Sequence, residues 1–128
     1  APSGREAYLA AYSEVDIVLD TQPFPGGTTT CEALWMGVPT LTLAGDRLIA
    51  RQGASLMRAA GLPEWVADDE DAFVAKAVAL SGDTAGLAAL RAGLRERVRH
   101  TPLFDARRFA ANLESALWQM WRTWLSAR

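Results

Sequence analysis

The sequence contains one cysteine and one histidine. A single cysteine cannot form a disulfide within the chain, and this usage is typical of the reducing cytoplasm, where we expect the protein to reside. No apolar run reaches the ~18 residues that span a bilayer, and no charged segment followed by an apolar one opens the chain as in a signal peptide. We therefore expect no membrane partner.

Charge of neither sign is in excess. The formal net charge is −2, and half of the residues are hydrophobic. This balance argues against a nucleic-acid-binding groove and against a polybasic membrane patch. There is no internal repeat and no low-complexity segment, so we predict that residues 1–128 form a single domain. The chain opens on Ala1 rather than on methionine and its first strand signal follows almost at once, which predicts a piece of a longer protein.

Short apolar runs alternate with helical patterns along the chain. This alternation predicts an α/β fold with a Rossmann-like parallel, doubly wound sheet and flanking helices. Gly37 and Gly61 are predicted to end helices, Gly37 in the left-handed conformation. The patterns predict strands at 15–19, 38–43 and 64–67, a short helix or turn at 8–13, and helices at 28–36, 46–60, 70–81, 84–99 and 105–126.

The segment from 17 to 36 is the most informative part of the chain. An apolar run stops at Asp20, a loop with proline and glycine follows, and a helix is predicted to begin at Thr28. The first-turn N–H groups of a helix have no intrahelical partner, and the helix dipole places about half a positive charge there. The order of strand, glycine loop and helix start is typical of anion sites in α/β proteins. It predicts a nucleotide diphosphate site at Gly26, Gly27, Thr28, Thr29 and Thr30.

Several of these side chains also have a simpler interpretation. Glycine and threonine suit any helix start, and Glu32 is interpretable as a first-turn acid that complements the helix dipole. We interpret Asp20 as a residue that holds the loop backbone. Cys31 is predicted in the first turn, a position that lowers a thiol pKa, yet no neighbouring residue completes a nucleophile, so we interpret it as packing.

A longer pattern surrounds this motif. It consists of DIVLDT at 16–21, GGTTTCEALWMGVP at 26–39, GLPE at 61–64, LR at 90–91, TPLFD at 101–105, LE at 113–114 and MW at 120–121. In these stretches, which run in order through nearly the whole chain, the sequence resembles the C-terminal part of the O-linked N-acetylglucosamine transferase-like glycosyltransferases, the group that also contains SPINDLY-type enzymes.

The resemblance implies a GT-B fold, in which two Rossmann-like halves face each other across a cleft, with this chain forming part of the C-terminal half. It implies that Thr28 and Thr29 hold the donor diphosphate, that Glu32 contacts the ribose, and that Tyr8 lies near the base. Tyr8 stands where the family often has histidine, and the position of Gly27 is histidine in some members. The catalytic groups lie upstream by the same resemblance, so none is assigned here, and no metal or cofactor is implied.

For the full-length protein the resemblance implies a glycosyltransferase that moves a sugar, N-acetylglucosamine from UDP-GlcNAc, to protein serine or threonine hydroxyls. The implied partners are the nucleotide-sugar, an acceptor protein, the missing N-terminal half and tetratricopeptide repeats before it, and the fragment alone is expected to be inactive. Two alternatives stay open: a non-catalytic Rossmann-like scaffold module and a GT-B nucleotide-sugar epimerase. These residues do not decide between UDP and GDP.

An apolar stripe runs along the last predicted helix. Such a stripe normally belongs to the hydrophobic core. The resemblance implies that this helix packs against the missing half, so that part of the stripe would be exposed in this chain. Exposed apolar patches commonly mark interfaces. We therefore expect the isolated fragment to self-associate through this helix or through an unpaired sheet edge. The stripe comprises Leu117, Met120, Trp121, Trp124 and Leu125.

Overall fold

The structure, a computed structural model, describes residues 4–127. It contains a three-stranded sheet with helices around it. The strands are β1 (Val18–Leu19), β2 (Thr40–Leu43) and β3 (Val66–Ala67). The α-helices are α1 (Arg5–Ala10), α2 (Thr28–Trp35), α3 (Gln52–Ala59), α4 (Glu70–Gly82), α5 (Thr84–Arg99) and α6 (Ala106–Ser126), and short 3₁₀ helices lie at Ala11–Glu14, Ile49–Arg51 and Pro63–Trp65.

The sheet is parallel throughout, in the order β1-β2-β3. Val18 lies opposite Thr40, and Thr42 lies opposite Val66. Parallel neighbours need a crossover between them, which α2 supplies from β1 to β2 and α3 from β2 to β3. The carboxyl ends of all strands therefore meet at one edge, where the loop that follows β1 lies. The predicted α/β class with a Rossmann-like parallel sheet and flanking helices is confirmed.

Several elements are shorter than the sequence pattern predicts. β1 is limited to Val18–Leu19 because the segment before it is still closing a turn, in which Val15 N–H donates to the Tyr12 carbonyl at 3.3 Å. Half of the predicted strand at 64–67 belongs to the 3₁₀ helix Pro63–Trp65, which begins on a proline that has no N–H to contribute to a ladder. Only Val66–Ala67 pair with β2.

The helix predicted at 46–60 begins only at Gln52. Before it, the chain forms a loop in which Gly45 N–H donates to the Ala50 carbonyl at 3.1 Å, and the Arg51 guanidinium returns to the Gly45 carbonyl at 3.1 Å. These bonds close the loop in place of a first helical turn. Leu48 consequently stands 93% exposed at its tip.

Two glycines end helices as predicted. Gly37 follows α2 with φ of +80°, and Gly61 follows α3 with φ of +72°. Only glycine adopts this left-handed region without a steric penalty from Cβ. At Gly37 there is a second requirement, because a Cβ would lie 3.2 Å from the Arg91 carbonyl oxygen.

The hydrophobic core lies between the sheet and the helices α2, α3 and α5. Apolar side chains at helical spacing supply it, which is why these amphipathic segments fold onto the strands. Its fully buried members include Leu34, Leu41, Met57, Leu62, Leu94 and Val98.

Helix α6 contributes nothing to this core, since none of its described residues is buried. Large apolar side chains are exposed along its length: Phe109, Leu113, Leu117, Trp118, Met120, Trp121, Trp124 and Leu125.

No single helix within residues 4–127 is long and apolar enough to cross a membrane, and the one pair that passes by length and composition, α4 with α5, is bent by 90°.

Candidate functional site

Asp20 follows β1 and holds the glycine loop in place. Its Oδ1 accepts hydrogen bonds from the N–H groups of Gly26 at 2.6 Å and Thr21 at 3.0 Å. Its Oδ2 accepts the Thr42 hydroxyl of β2 at 2.7 Å. The backbone of Asp20 is fixed as well, because its N–H donates to the Leu41 carbonyl at 2.9 Å. The interpretation of Asp20 as a residue that holds the loop is confirmed.

The N-terminus of α2 presents donors to solvent. The helix begins at Thr28, and its N-cap residue, Gly27, has no side chain with which to cap it. The first intrahelical hydrogen bond is donated by the N–H of Cys31, which reaches the Gly27 carbonyl at 3.1 Å. The N–H groups of residues 28–30 therefore lack an intrahelical acceptor. Thr28 and Thr29 are exposed, and neither hydroxyl is hydrogen-bonded to any of residues 4–127.

Thr30 has a different environment from its two neighbours. It is buried, and its hydroxyl donates to the Gly26 carbonyl at 3.0 Å, which fastens the loop to the helix. Gly26 is enclosed by the side chains of two threonines: a Cβ there would lie 2.7 Å from Thr29 Oγ1 and 2.8 Å from Thr30 Oγ1. Any side chain at position 26 would push both threonines out of place, so the geometry of the helix start depends on this glycine.

Glu32 connects α2 to α1. Its side chain is only 10% exposed, with Oε1 paired to the Arg5 guanidinium at 2.6 Å and Oε2 accepting the Tyr8 hydroxyl at 2.9 Å. The Tyr8 and Tyr12 hydroxyls are 3.0 Å apart, and that of Tyr12 also reaches the Thr29 carbonyl at 3.3 Å. The structure thus brings together Tyr8 and Glu32, which the resemblance assigned to one nucleotide, and links both to the first turn of α2.

This network shifts the pKa of two of its members, Glu32 and Tyr8. The hydrogen bond from Tyr8, with the cation of Arg5, holds the pKa of Glu32 below its usual 4.5 even though burial acts in the opposite direction. Hydrogen bonds to Tyr12 and Glu32 raise the pKa of the Tyr8 hydroxyl. Glu32 is therefore a carboxylate at neutral pH, and a carboxylate has about four acceptor positions, of which these two partners occupy only part.

Two interpretations of α2 from the sequence are wrong. Glu32 lies in the second turn, beyond the first-turn donors, so it is not a first-turn acid. Burial raises the pKa of the Cys31 thiol and the negative charge of Glu32 raises it further, a direction opposite to the lowering expected at a helix start. Cys31 is half-buried, which agrees with the packing role that the sequence predicted.

Three residues at this site escaped the sequence reasoning. Tyr12 follows Tyr8 at a helical spacing, a signal that places both on one face. Arg5 precedes Tyr8 by three residues and carries the same kind of signal, whereas Gln52 carries none, because it approaches the site from a segment distant in sequence. Gln52, the first residue of α3, places its side-chain amide against Gly27.

Acidic residues elsewhere act in helix capping. Asp69 accepts the Ala72 N–H at 2.7 Å and so caps α4 within the acidic run 68–71. In the described part of the chain, no group of three or more His, Cys, Asp or Glu side chains is arranged to hold a metal ion.

A glycine loop between a parallel strand and an accessible helix start is the arrangement of phosphate-binding α/β domains. The profile of Glycosyl transferase family 41 matches residues 4–113. The probable UDP-N-acetylglucosamine–peptide N-acetylglucosaminyltransferase SPINDLY of Solanum lycopersicum is 44% identical over 115 residues, covering 90% of this chain and 12% of the relative. The UDP-N-acetylglucosamine–peptide N-acetylglucosaminyltransferase of Caenorhabditis elegans is 32% identical over 124 residues, covering 97% of this chain and 11% of the relative.

A solved structure gives the same result in three dimensions. A mutant O-GlcNAc transferase of Thermobaculum terrenum superposes with a TM-score of 0.85 at 43% identity, over 95% of this chain and 24% of that one. The chain therefore belongs to glycosyl transferase family 41. The resemblance to O-GlcNAc transferase-like proteins is confirmed, and the chain spans 12% of the length of the first curated relative.

Proposed function

We propose that the full-length protein is a glycosyltransferase that moves a sugar, N-acetylglucosamine from UDP-GlcNAc, onto serine or threonine hydroxyls of a protein, and that this chain supplies part of the donor site. The relatives support the class of reaction. The observation that carries the donor site is the start of α2, where the hydroxyls and backbone N–H groups of Thr28 and Thr29 have no hydrogen-bond partner among residues 4–127.

The proposed roles follow from this geometry. The N–H groups and hydroxyls of Thr28 and Thr29 bind the diphosphate and stabilise the charge that grows on it as the sugar leaves. Gly27 lets the diphosphate approach the backbone. Gly26 and Thr30 shape the loop, since the N–H of Gly26 is already used by Asp20 and the hydroxyl of Thr30 by Gly26.

The ribose is proposed to bind at Glu32. Its carboxylate keeps acceptor capacity beyond the bonds from Arg5 and Tyr8, and vicinal ribose hydroxyls are donors suited to a carboxylate. Tyr8 orients this carboxylate, and the base is proposed to bind near it. The reaction is proposed to need no metal or cofactor, because fixed helix donors take the part that a cation plays at other diphosphate sites.

The remaining partners are proposed from the same relationship. The N-terminal catalytic half, tetratricopeptide repeats and an acceptor protein complete the cytoplasmic enzyme. The exposed apolar face of α6 supports self-association of the isolated fragment. Sedimentation of the fragment at high concentration is expected to give a dimer or larger species, and a clean monomer would refute this part of the proposal.

The test of the proposed function is sugar transfer by the full-length protein with Thr28→Ala and Thr29→Ala combined. We expect the transfer rate to fall by about 100-fold, since loss of one preorganised donor to a developing oxyanion costs this much. Thr84→Ala is the matched control, because Thr84 is also exposed and also begins a helix, α5. It should keep the wild-type rate.

Calorimetry separates the alternatives. A preference for UDP or GDP over UMP and inorganic phosphate favours a transferase or an epimerase, whereas indifference among them favours a scaffold module. Release of the sugar with transfer to a protein then separates the transferase from the epimerase. An unchanged transfer rate in the double variant would rule out the assigned donor site.

A further inference from the structure

Gln52 lies beside Gly27 and forms no side-chain hydrogen bond within the described part of the chain. Its amide packs against the α-carbon of Gly27: a Cβ built at position 27 would overlap Gln52 Nε2 and lie 3.5 Å from its Cδ. The side chain is half-buried, and its amide makes no hydrogen bond to any residue from 4 to 127. An amide that is partly shielded from water and has no protein partner loses hydrogen-bonding energy. A ligand that supplies acceptors would restore this energy.

The acceptors expected at this point are phosphoryl oxygens. Gly27 is the N-cap of α2, so an anion held by the first-turn N–H groups lies next to its α-carbon. An ionised diphosphate offers many acceptors and no donors, and therefore pairs with the –NH₂ end of a glutamine rather than with its carbonyl end. Gly27 has no side chain, which is what leaves this space open to Gln52.

We propose that Gln52 is a further donor-binding residue, whose side-chain amide donates to the diphosphate of the nucleotide-sugar beside Gly27. This inference rests on the proposed function of the α2 helix start. It assigns to α3 a direct contact with the diphosphate, so that two helices, α2 and α3, both bind the ligand. Gly27 and Gln52 form a complementary pair, since the missing side chain of one makes room for the amide of the other.

The test is nucleotide binding by the full-length protein, measured by calorimetry with UDP or GDP, whichever the wild type binds more tightly. Gln52→Ala is expected to weaken binding about tenfold, the effect of losing one hydrogen bond to a charged group. Gln52→Glu keeps the shape but replaces the –NH₂ donors with a negative charge, and is expected to weaken binding by at least another factor of about ten. Arg58→Ala, on the exposed part of α3, is the control and should bind as the wild type does.

A double-mutant cycle tests the pairing with Gly27. In the Gly27→Ala background, Gln52→Ala should weaken binding much less than the tenfold expected in the wild type, because the added methyl has already displaced the amide. Thermal unfolding of each variant separates lost binding from lost folding.

The outcomes distinguish the two proposals. If wild type prefers a nucleoside diphosphate but Gln52→Ala and Gln52→Glu bind it equally well, the role of Gln52 is overturned and the proposed function stands. Tighter binding by Gln52→Ala would mean that Gln52 blocks the site, which also overturns it. If the wild type shows no preference for a diphosphate, both proposals fail.

Discussion

Gly53 of α3 lies directly against the carboxylate of Asp20. A Cβ at position 53 would overlap both Asp20 Oδ2 and the Thr42 hydroxyl that donates to it. The helix that follows β2 can therefore approach the loop that follows β1 only because residue 53 has no side chain. The position of α3 and the shape of the glycine loop are coupled through this contact.

Gly53→Ala is the first prediction. The methyl group should break the bond between Asp20 and Thr42 and lower the free energy of unfolding by about 1–3 kcal/mol, the usual cost of overpacking. Binding of the nucleoside diphosphate should weaken too, since Asp20 also holds Gly26. Chemical denaturation and calorimetry of the full-length protein measure the two effects.

Gly93→Ala is its matched control. Gly93 lies within α5, is exposed, and has nothing within 4 Å of its Cβ position. Alanine there should raise the free energy of unfolding by about 1 kcal/mol, because glycine is the poorer helix former. If both substitutions shift stability in the same direction, the contact between Gly53 and Asp20 is not what restricts position 53.

Removal of the Tyr8 hydroxyl should make stability less sensitive to acid. The pKa of Glu32 is lowered in the folded chain, chiefly by the bond from Tyr8. A lowered carboxyl pKa contributes stability above the pKa of the unfolded state, and this contribution is lost as pH falls through the folded pKa. Tyr8→Phe should therefore lower the free energy of unfolding by about 1.5 kcal/mol at pH 7. The loss should become progressively smaller as the pH falls below the usual carboxyl pKa of 4.5.

Urea unfolding of wild type and Tyr8→Phe between pH 7 and pH 3 gives this difference directly. Tyr12→Phe is the comparison, because Tyr12 does not bond to Glu32 itself. A difference between wild type and Tyr8→Phe that stays constant over this range would show that the bond does not depend on the charge of Glu32.

Two threonines of β2 should respond oppositely to the same substitution. Thr40 and Thr42 are both fully buried, but Thr40 Oγ1 has no hydrogen-bond partner among residues 4–127, whereas Thr42 donates to Asp20 at 2.7 Å. Thr40→Val should raise the free energy of unfolding by about 1 kcal/mol by removing an unpaired buried hydroxyl. Thr42→Val should lower it by about 2 kcal/mol, because it leaves a carboxylate short of a partner. Thermal unfolding curves that rank the two variants in the reverse order would contradict this account.

Local sequence signals predicted most of the fold. Gly37 and Gly61 end helices because their backbone conformation is encoded by a single residue type. The start of α3 was missed because the loop before it is closed by bonds that involve Gly45, and such closure has no periodic signal.

At the site, too, features set by neighbouring residues were predictable, and contacts between distant segments were not. The glycines and threonines of the loop are contiguous, so their order alone indicated an anion site. The ion pair of Arg5 with Glu32 and the contact of Gln52 with Gly27 join distant segments. Only the folded chain, which brings α1 and α3 to the start of α2, creates these contacts.

A crystal structure of the full-length protein with UDP bound tests the central claim most directly. We predict density for the diphosphate at the start of α2, within hydrogen-bonding distance of the N–H groups and hydroxyls of Thr28 and Thr29. A diphosphate bound elsewhere, or a start of α2 that the rest of the protein covers and leaves without room for a nucleotide, would contradict it.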